Sequence, residues 1–401
     1  MIKILDSIMG SGKTSYAIQM INDNPDRKYV YITPYLDEVK RVIDNCSNFR
    51  EPEANHSGDL KIDSLNDMLE QGINIVSTHA LFKLTTKKTI EALRLHNYTL
   101  IMDEVADVVS SEDFKKDDLA TIVKAGLAHV DDQGYLIWDI PDYDGAYNKI
   151  KRLCNSRSVI VINGTALVWI FPATIFKMFS ETFICTYLFD VQVQKYYFDL
   201  HNITYEYYRI IKGNDGKYQM IPKESGYTDD TSHIHINIYE GKKNDIGSDG
   251  KSSYYALSSN WYNKATNDQL KRIKNNLVGW FKNDLCKSPS DNNLWTCFKY
   301  YQKDLQASPY TKGFLACNAR ATNLYKDKTA VAYVINRFMS PVVLAFFKIH
   351  DIEITKEEQE KYALSELLQF VWRSAIRENK EISLYIPSTR MRSVLNEFLV
   401  A

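Results

Sequence analysis

The residues best suited to chemistry lie within the first fifteen positions, where glycines, a lysine and hydroxyl side chains follow a short apolar run. Glycines allow the backbone to turn successive N–H groups toward an anion, and the helix-like stretch that follows adds positive potential at its N-terminus. The lysine of such a loop binds the β- and γ-phosphates, and the hydroxyl beside it ligates Mg²⁺. We therefore predict a site for a nucleotide phosphate at Gly10, Ser11, Gly12, Lys13, Thr14 and Ser15.

A second candidate is the acidic pair Asp103 and Glu104, which follows the apolar run of residues 98–102. An aspartate at the carboxyl end of a strand can hold Mg²⁺, and a neighbouring glutamate can orient the water that attacks the γ-phosphate. By itself, such a pair is most often a solvated turn. Together with the lysine loop it predicts hydrolysis of a nucleoside triphosphate, with Thr14 and Asp103 as metal ligands and Glu104 and Lys13 as catalytic residues.

Small polar residues also follow the apolar run of residues 159–163, at Gly164, Thr165 and Ala166. If this run is a strand of the same sheet, the threonine is placed to sense the acidic pair and to transmit the state of the nucleotide. The alternative is a turn that begins a helix with an N-terminal cap. The residues alone leave both interpretations open.

Two arginines near the C-terminus, Arg373 and Arg377, are four positions apart in a helix that we predict over residues 363–378. This spacing places them on one helical face, where two guanidinium groups can bind a phosphate together. The alternative is that they are surface arginines paired with acids such as Glu366 or Glu378.

These residues need an α/β framework to hold them. Short apolar runs alternate with longer amphipathic stretches through residues 1–178, the pattern of a parallel sheet with helices between its strands. The expected strands are 2–5, 29–33, 73–77, 99–102 and 159–163, with helices at 36–46 and 64–71.

Residues 179–264 are rich in tyrosine and predict a β-rich connecting or inserted segment with antiparallel hairpins. Residues 265–401 predict a second α/β lobe, with strands at 294–298, 313–317, 330–335 and 382–386 and helices at 266–284, 363–378 and 389–400.

Composition narrows the class of protein. The chain has 401 residues and a formal net charge of −1, so any groove for a polyanion has to be built from local charge. Six scattered cysteines without a C-x-x-C pair favour reduced thiols in a cytoplasmic protein and disfavour zinc. No apolar run approaches the roughly 20 residues that a membrane span needs. We expect no membrane association.

The order of these motifs resembles that of superfamily 2 helicases, in particular the compact DEAD-like helicases of bacteriophage genomes. The residues that carry the resemblance are the Gly10-to-Thr14 loop, the sequence Asp-Glu-Val-Ala at 103–106, Gly164 to Ala166, and Gln369 with Arg373. Ser7 occupies the first position of the loop, where a small residue is usual in that superfamily. Trp372 stands where the last motif normally has glycine, and the second arginine comes one residue late.

The resemblance implies two RecA-like lobes with ATP and Mg²⁺ between them, and arginines of the second lobe completing the site. It also implies residues that contact nucleic acid or couple it to ATP, namely Thr33, Pro34, Thr78, His79, Gly164, Thr165, Ala166, Thr322, Asn323 and Gln369. The expected activity is an ATP-dependent helicase or translocase in phage replication or recombination, acting on DNA rather than RNA. A monomer suffices for catalysis, and replication or recombination proteins are possible partners.

Three other functions fit the same residues. An RNA-directed helicase would use the same ATP site. A nucleotide-dependent switch or loader would hydrolyse ATP slowly, act through a protein partner and ignore nucleic acid. An inactive nucleic-acid-binding module would bind strands equally well with and without ATP, but the intact Lys13, Asp103 and Glu104 disfavour it. The expected location is the cytoplasm of an infected bacterial host.

Overall fold

The structure is a computed structural model that describes residues 1–34, 36–54, 60–246, 253–285, 288–317 and 324–400. The chain folds into two compact units, each assembled from separate stretches of sequence. Unit 1 comprises Met1–Ser7, Ser11–Glu224 and Met339–Thr355. Unit 2 comprises Ile8–Gly10, Ser225–Phe338 and Lys356–Ala401.

The described residues form strands and α-helices with the following bounds. The strands are β1 Ile2–Asp6, β2 Lys28–Thr33, β3 Phe49–Arg50, β4 Asn74–Thr78, β5 Tyr98–Asp103, β6 Val109–Ser111, β7 Ala128–Val130, β8 Leu136–Trp138, β9 Val159–Ile162, β10 Ala166–Ile170, β11 Glu181–Thr186, β12 Tyr205–Lys212, β13 Tyr218–Pro222, β14 Ile236–Ile238, β15 Asn293–Thr296, β16 Ala330–Tyr333 and β17 Ile382–Tyr385. The helices are α1 Lys13–Asp23, α2 Leu36–Asn45, α3 Lys61–Glu70, α4 His79–Phe82, α5 Lys87–Leu93, α6 Lys116–Lys124, α7 Asn148–Asn155, α8 Val193–Leu200, α9 Ser259–Lys264, α10 Asn267–Gly279, α11 Gln302–Leu305, α12 Pro341–Ile349, α13 Lys356–Val371 and α14 Thr389–Val400.

Unit 1 is built on an eight-stranded sheet with the strand order β13-β12-β1-β11-β5-β2-β4-β3. All neighbouring strands are parallel except the β12–β13 hairpin. Central parallel strands are covered on both faces, so their sequences are continuously apolar. Strand β2 shows this, because Tyr29, Val30, Tyr31 and Ile32 are all buried. Because parallel strands end at the same sheet edge, β1 and β5 bring the lysine loop and the acidic pair to one edge.

Unit 2 contains a four-stranded parallel sheet with the order β14-β17-β16-β15. Its core includes Trp280, Trp295 and Tyr385, all at most 1% exposed. Parallel sheets in both units confirm the predicted α/β fold class. The run 313–317 is not a strand, however, since Thr311–Gly313 is a 3-10 turn and Phe314 makes only an isolated bridge to Trp295.

The run predicted as a fifth parallel strand of the first sheet belongs elsewhere. Strand β9 pairs antiparallel with β10 in a three-stranded sheet, β6-β10-β9. Residues of this sheet join a small core with α6 and α7 on one side, and α12 packs on the sheet as well. Burial on both faces makes an antiparallel strand as continuously apolar as a parallel one, so periodicity could not separate the two.

Strand β11, which was not among the predicted strands, lies between β1 and β5 in the first sheet. The tyrosine-rich residues 179–264 therefore do not form one connecting segment. Residues up to Glu224 add β11, β12 and β13 to the first sheet, and residues from Ser225 onward belong to unit 2, where β14 pairs parallel with β17. None of the described helices is long and apolar enough to cross a membrane.

Candidate active site

The lysine loop has the backbone conformation that its glycines predict. Gly10 and Gly12 have φ angles of +86° and +95°, in the left-handed region that residues with a β-carbon rarely adopt. Gly12 is also the N-terminal cap of α1, which begins at Lys13. The hydroxyl of Ser11 is shielded from solvent and has no hydrogen-bond partner among the described residues.

Lys13, at the start of α1, lies near Asp103 and Glu104 at the end of β5. Lys13 is 9% exposed, and its Nζ donates a hydrogen bond to the carbonyl of Ser7. Burial lowers the pKa of Lys13, while Glu104 and Asp103 are among the nearby groups that oppose this shift. The Thr14 hydroxyl donates to Asp103 Oδ2 over 3.3 Å, so these two predicted metal ligands are neighbours.

The charge state of Asp103 is unusual. Burial raises its pKa to about 7, with Glu104 and Glu38 adding to the shift and Lys13 and Thr14 opposing it. A carboxyl group that is about half protonated near pH 7 in the nucleotide-free protein becomes fully charged when a cation binds beside it. The site is thus arranged to take up positive charge.

This pKa predicts how Asp103→Asn changes stability with pH. Because the folded pKa lies above the ordinary value of 3.8, folding retains a proton that the unfolded chain releases, and wild-type stability falls as pH rises from about 4 to 7. Asparagine removes this dependence. We expect the variant to be more stable than wild type at pH 8, by up to about 4 kcal/mol at 1.36 kcal/mol per pH unit, and the difference to vanish near pH 4. Urea unfolding of both proteins without nucleotide, at pH 8 and at pH 4, measures this difference in the free energy of unfolding. A difference that does not change with pH would contradict the raised pKa of Asp103.

Glu104 sits in a strained position directly after β5. Its φ angle is +71°, a left-handed conformation that is costly for a residue other than glycine, and its N–H donates to the carbonyl of Cys185 over 2.8 Å. The next residues are anchored as well, since the Gln194 side chain accepts a hydrogen bond from Ala106 N–H over 2.8 Å. The turn therefore fixes the direction in which Glu104 leaves the strand.

Two buried hydroxyls flank the acidic strand and were not predicted as site residues. Tyr31 on β2 and Thr186 on β11 are both 0% exposed, and neither hydroxyl has a partner among the described residues. Their strands lie on either side of β5. Thr186 was missed because β11 was not predicted, and Tyr31 because an apolar strand gave no sign that its hydroxyl would face a carboxylate.

Ser7 and Tyr218 attach the lysine loop to the strands β12 and β13. The Ser7 hydroxyl accepts a hydrogen bond from Ile210 N–H over 2.9 Å, a contact that glycine at this position could not make. The Tyr218 ring lies against Gly12, so close that a β-carbon there would be 2.0 Å from the ring. The Gln19 side chain bonds both backbone groups of Tyr218, each over 3.0 Å. No local sequence signal pointed to Tyr218, because the contact joins positions 206 residues apart.

The residues predicted to contact nucleic acid differ in how exposed they are and in what they contact. Thr33 is 0% exposed at the end of β2, so a nucleic-acid strand cannot reach it in this conformation, whereas Pro34 beside it is half-buried. Thr78 caps α4, and His79 Nε2 lies 3.0 Å from the carbonyl oxygen of Asp103, which ties this strand end to the acidic strand. Thr322 and Asn323 lie outside the described residues.

Gly164, Thr165 and Ala166 do not end a parallel strand beside the acidic pair. Asn163 and Gly164 have φ angles of +51° and +64°, and Thr165 N–H donates to the carbonyl of Ile162 over 3.0 Å. These are the features of a tight hairpin turn between β9 and β10. The turn is exposed and begins no helix, so the expected strand end beside the acidic pair and the expected helix cap are both wrong, whereas a turn is present. The predicted role of these residues in coupling ATP to nucleic acid stays a prediction.

The two arginines do not share a helical face. Helix α13 ends at Val371, Arg373 lies in the following turn, and Arg377 lies in the 3-10 helix Ala375–Glu378. Arg373 is 8% exposed and its Nε donates to the carbonyl of Gln369 over 2.9 Å, whereas Arg377 is exposed. The expected joint projection of the two guanidinium groups is therefore wrong. Their roles, and that of Gln369, stay predictions.

The residues at the sheet edge suit Mg²⁺ bound to a nucleotide. Among the described residues, no group of three or more His, Cys, Asp and Glu side chains is arranged to hold a metal alone. Mg²⁺ with a nucleotide needs fewer protein ligands, because phosphates and waters supply the rest. The neighbouring oxygens of Thr14 and Asp103 match this requirement.

Comparisons with known proteins agree with this fold. Residues 230–399 match the family model of the YonV C-terminal Rossmann-like domain, and residues 109–169 match that of the YonV middle domain. A solved structure described as "XPD_APO" is similar over 99% of this chain and 95% of its own, with 12% identity and a TM-score of 0.51. S. tokodaii Xpd4 is similar over 99% of this chain and 93% of its own, with 9% identity and a TM-score of 0.43. The first likeness shows the fold of two-lobed helicases.

One relative matches along nearly its whole length. The SPbeta prophage-derived protein YonV of Bacillus subtilis (strain 168) is 42% identical over 415 residues, which covers 99% of this chain and 98% of YonV. Identity at this level over full-length chains shows common descent and a common fold. The chain belongs to the YonV family.

Proposed function

We propose that this protein is an ATP-driven translocase or helicase of superfamily 2 that acts on nucleic acid, DNA rather than RNA. The observation that carries the proposal is the sheet edge of unit 1, where Lys13, Thr14 and Asp103 come together at the ends of β1 and β5. The two-lobed helicase fold supports it, because in that fold nucleotide hydrolysis changes how two lobes hold a strand.

Each residue of the edge has a proposed role. The Lys13 ammonium binds the β- and γ-phosphates, and the backbone N–H groups of the loop surround them. Glu104 orients the attacking water and accepts its proton. Thr14 and Asp103 hold Mg²⁺, which neutralises phosphate charge when bound. Arg373 and Arg377 remain candidates for the arginine that stabilises charge developing on the γ-phosphate.

The proposal extends to the biological setting. The prophage-derived relative supports a role in phage replication or recombination in the cytoplasm of a bacterial host. Replication or recombination proteins are the proposed partners, and a monomer is sufficient for hydrolysis because one chain supplies every residue named above.

The test is ATP turnover by the purified protein, alone and with single-stranded DNA, forked duplex DNA or single-stranded RNA. We expect slow turnover alone and stimulation of about tenfold or more by single-stranded DNA, because strand binding stabilises the hydrolytic arrangement. Stronger stimulation by RNA would identify an RNA-directed motor instead. Turnover that ignores every polymer would favour a switch or loader that acts through a protein partner.

A further inference from the structure

The β12–β13 hairpin contacts the lysine loop at both of its ends. At the start of the loop, the buried Asp6 accepts a hydrogen bond from Lys223 Nζ over 2.9 Å. At the other end, the three atoms nearest to where a β-carbon of Gly12 would lie are the ring carbons Cε1, Cδ1 and Cζ of Tyr218. Tyr218 begins β13 and Lys223 directly follows it, so one strand contacts the loop at both ends.

Tyr218 is itself anchored to the helix that begins at the loop. Its backbone N–H donates a hydrogen bond to the Gln19 side chain, and its carbonyl accepts one from the same side chain, each over 3.0 Å. The ring is half-buried against the core of unit 1, and Lys212 Nζ lies 5.8 Å from the ring centroid. The ring therefore reaches Gly12 from a strand that is fixed to both α1 and the core.

Gly12 is the position of the loop where such a contact has a large effect. Glycine has more accessible backbone conformations than any other residue, and Gly12 adopts one with a φ angle of +95°. Lys13 follows as the first residue of α1, so the conformation of Gly12 sets the direction of the N–H groups that point at a phosphate. A ring packed on Gly12 excludes conformations that need the same space, and ordering a residue before a ligand arrives lowers the free-energy cost of binding.

We propose that Tyr218 is a positioning residue of the ATP site. Its ring keeps Gly12 in the conformation that directs the loop N–H groups and Lys13 at the β- and γ-phosphates. The effect belongs to the ring carbons, because these are the atoms that lie against Gly12. This inference rests on the proposed ATP site, and it adds to that site a residue of the edge strand β13 that none of the helicase-like motifs contains.

The test compares Tyr218→Ala and Tyr218→Phe with Met220→Ala and the wild-type protein. Met220 provides a matched control, because it lies two residues further along β13, on the same face of the strand, and packs against the same core as Tyr218. Equilibrium binding of a fluorescent ATP analogue gives the Kd, and steady-state hydrolysis gives KM and kcat. Urea unfolding of each protein measures the loss of stability separately.

We expect Tyr218→Ala to raise Kd and KM for ATP about tenfold, the effect of having to order the backbone of about one residue on binding. The value of kcat should stay within about threefold of wild type, because bound ATP brings the loop into the same conformation and Lys13 and Glu104 are unchanged. Tyr218→Phe should restore the wild-type Kd and KM, since phenylalanine keeps the ring carbons that contact Gly12. Met220→Ala should lower the free energy of unfolding and bind ATP with wild-type affinity.

Wild-type ATP affinity in Tyr218→Ala would overturn the inference, and so would a fall in kcat at unchanged KM or an equal loss of affinity in Met220→Ala. If Tyr218→Ala fails to fold, Tyr218→Leu serves the same comparison, because leucine keeps an apolar side chain on the core but has no ring to cover Gly12. Lys13→Ala distinguishes this inference from the proposed function. Weak ATP binding by Lys13→Ala together with normal binding by Tyr218→Ala would refute only the role of Tyr218, whereas normal binding by both would refute the ATP site itself.

Discussion

Lys13→Ala is expected to reduce ATP turnover by at least about 10²–10³-fold, the usual effect of removing a group that stabilises transition-state charge. The ammonium is held in place by the Ser7 carbonyl and is buried beside Asp103 and Glu104, so water cannot substitute for it at the same position. Binding of ATP should weaken about ten- to a hundredfold, as expected for a lost charged hydrogen bond. Phosphate release and binding of a fluorescent ATP analogue measure the two effects.

Lys28→Ala provides a matched control, because Lys28 is exposed and begins β2 at the opposite edge of the same sheet. It should hydrolyse ATP at the wild-type rate. A Lys13→Ala protein whose turnover stays within about threefold of wild type would show that the loop is not the ATP site.

Glu104→Gln is expected to separate binding from hydrolysis. Glutamine has nearly the same shape and the same difficulty with a φ angle of +71°, so the strained turn should persist. It cannot accept the proton of the attacking water, and loss of a general base typically costs 10²–10⁴-fold in rate. We expect turnover to fall by that factor while ATP affinity changes by less than about threefold, measured by single-turnover hydrolysis and by equilibrium binding.

Glu112→Gln is the control, since Glu112 pairs with Lys149 away from the site. It should leave turnover unchanged. Hydrolysis by Glu104→Gln at the wild-type rate would exclude Glu104 as the base and direct attention to the neighbouring carboxyls, Asp103 and Glu38.

The lysine loop and the acidic pair could be predicted because each is a local pattern. An apolar strand followed by Gly-Ser-Gly-Lys-Thr permits few other structures, and a strand that ends in Asp103 and Glu104 must present them at the sheet edge. Once both strands were placed in one parallel sheet, the proximity of the lysine loop to the acidic pair followed. No contact between distant parts of the sequence had to be known.

The hairpin at Gly164 shows a signal that was present but given too little weight. An Asn-Gly pair between two apolar runs is a strong indicator of a two-residue turn, because both residues accept positive φ angles. Reading residues 163–164 in this way would have predicted β9 and β10 as an antiparallel pair. The predicted first sheet would then have lacked one strand.

Other features depend on contacts that sequence does not display. Strand β12 pairs with β1 across about two hundred positions, and only that pairing places Tyr218 on the loop. Helix α13 ends at Val371, directly before the buried residues Trp372 and Arg373, and no glycine or proline there signals the end. His201 and His350, which follow α8 and α12, line one cavity although they are 149 residues apart.

The most direct test of the motor proposal is ATP-driven displacement of streptavidin from biotinylated single-stranded DNA, with biotin at the 5′ end in one substrate and the 3′ end in the other. A protein that steps along a strand pushes streptavidin off one end, so we predict that ATP accelerates its loss from one substrate only. Glu104→Gln and a non-hydrolysable ATP analogue should both give the uncatalysed rate. Loss of streptavidin at the uncatalysed rate from both substrates, measured with wild-type protein that hydrolyses ATP, would contradict the proposal and identify a nucleotide-dependent switch.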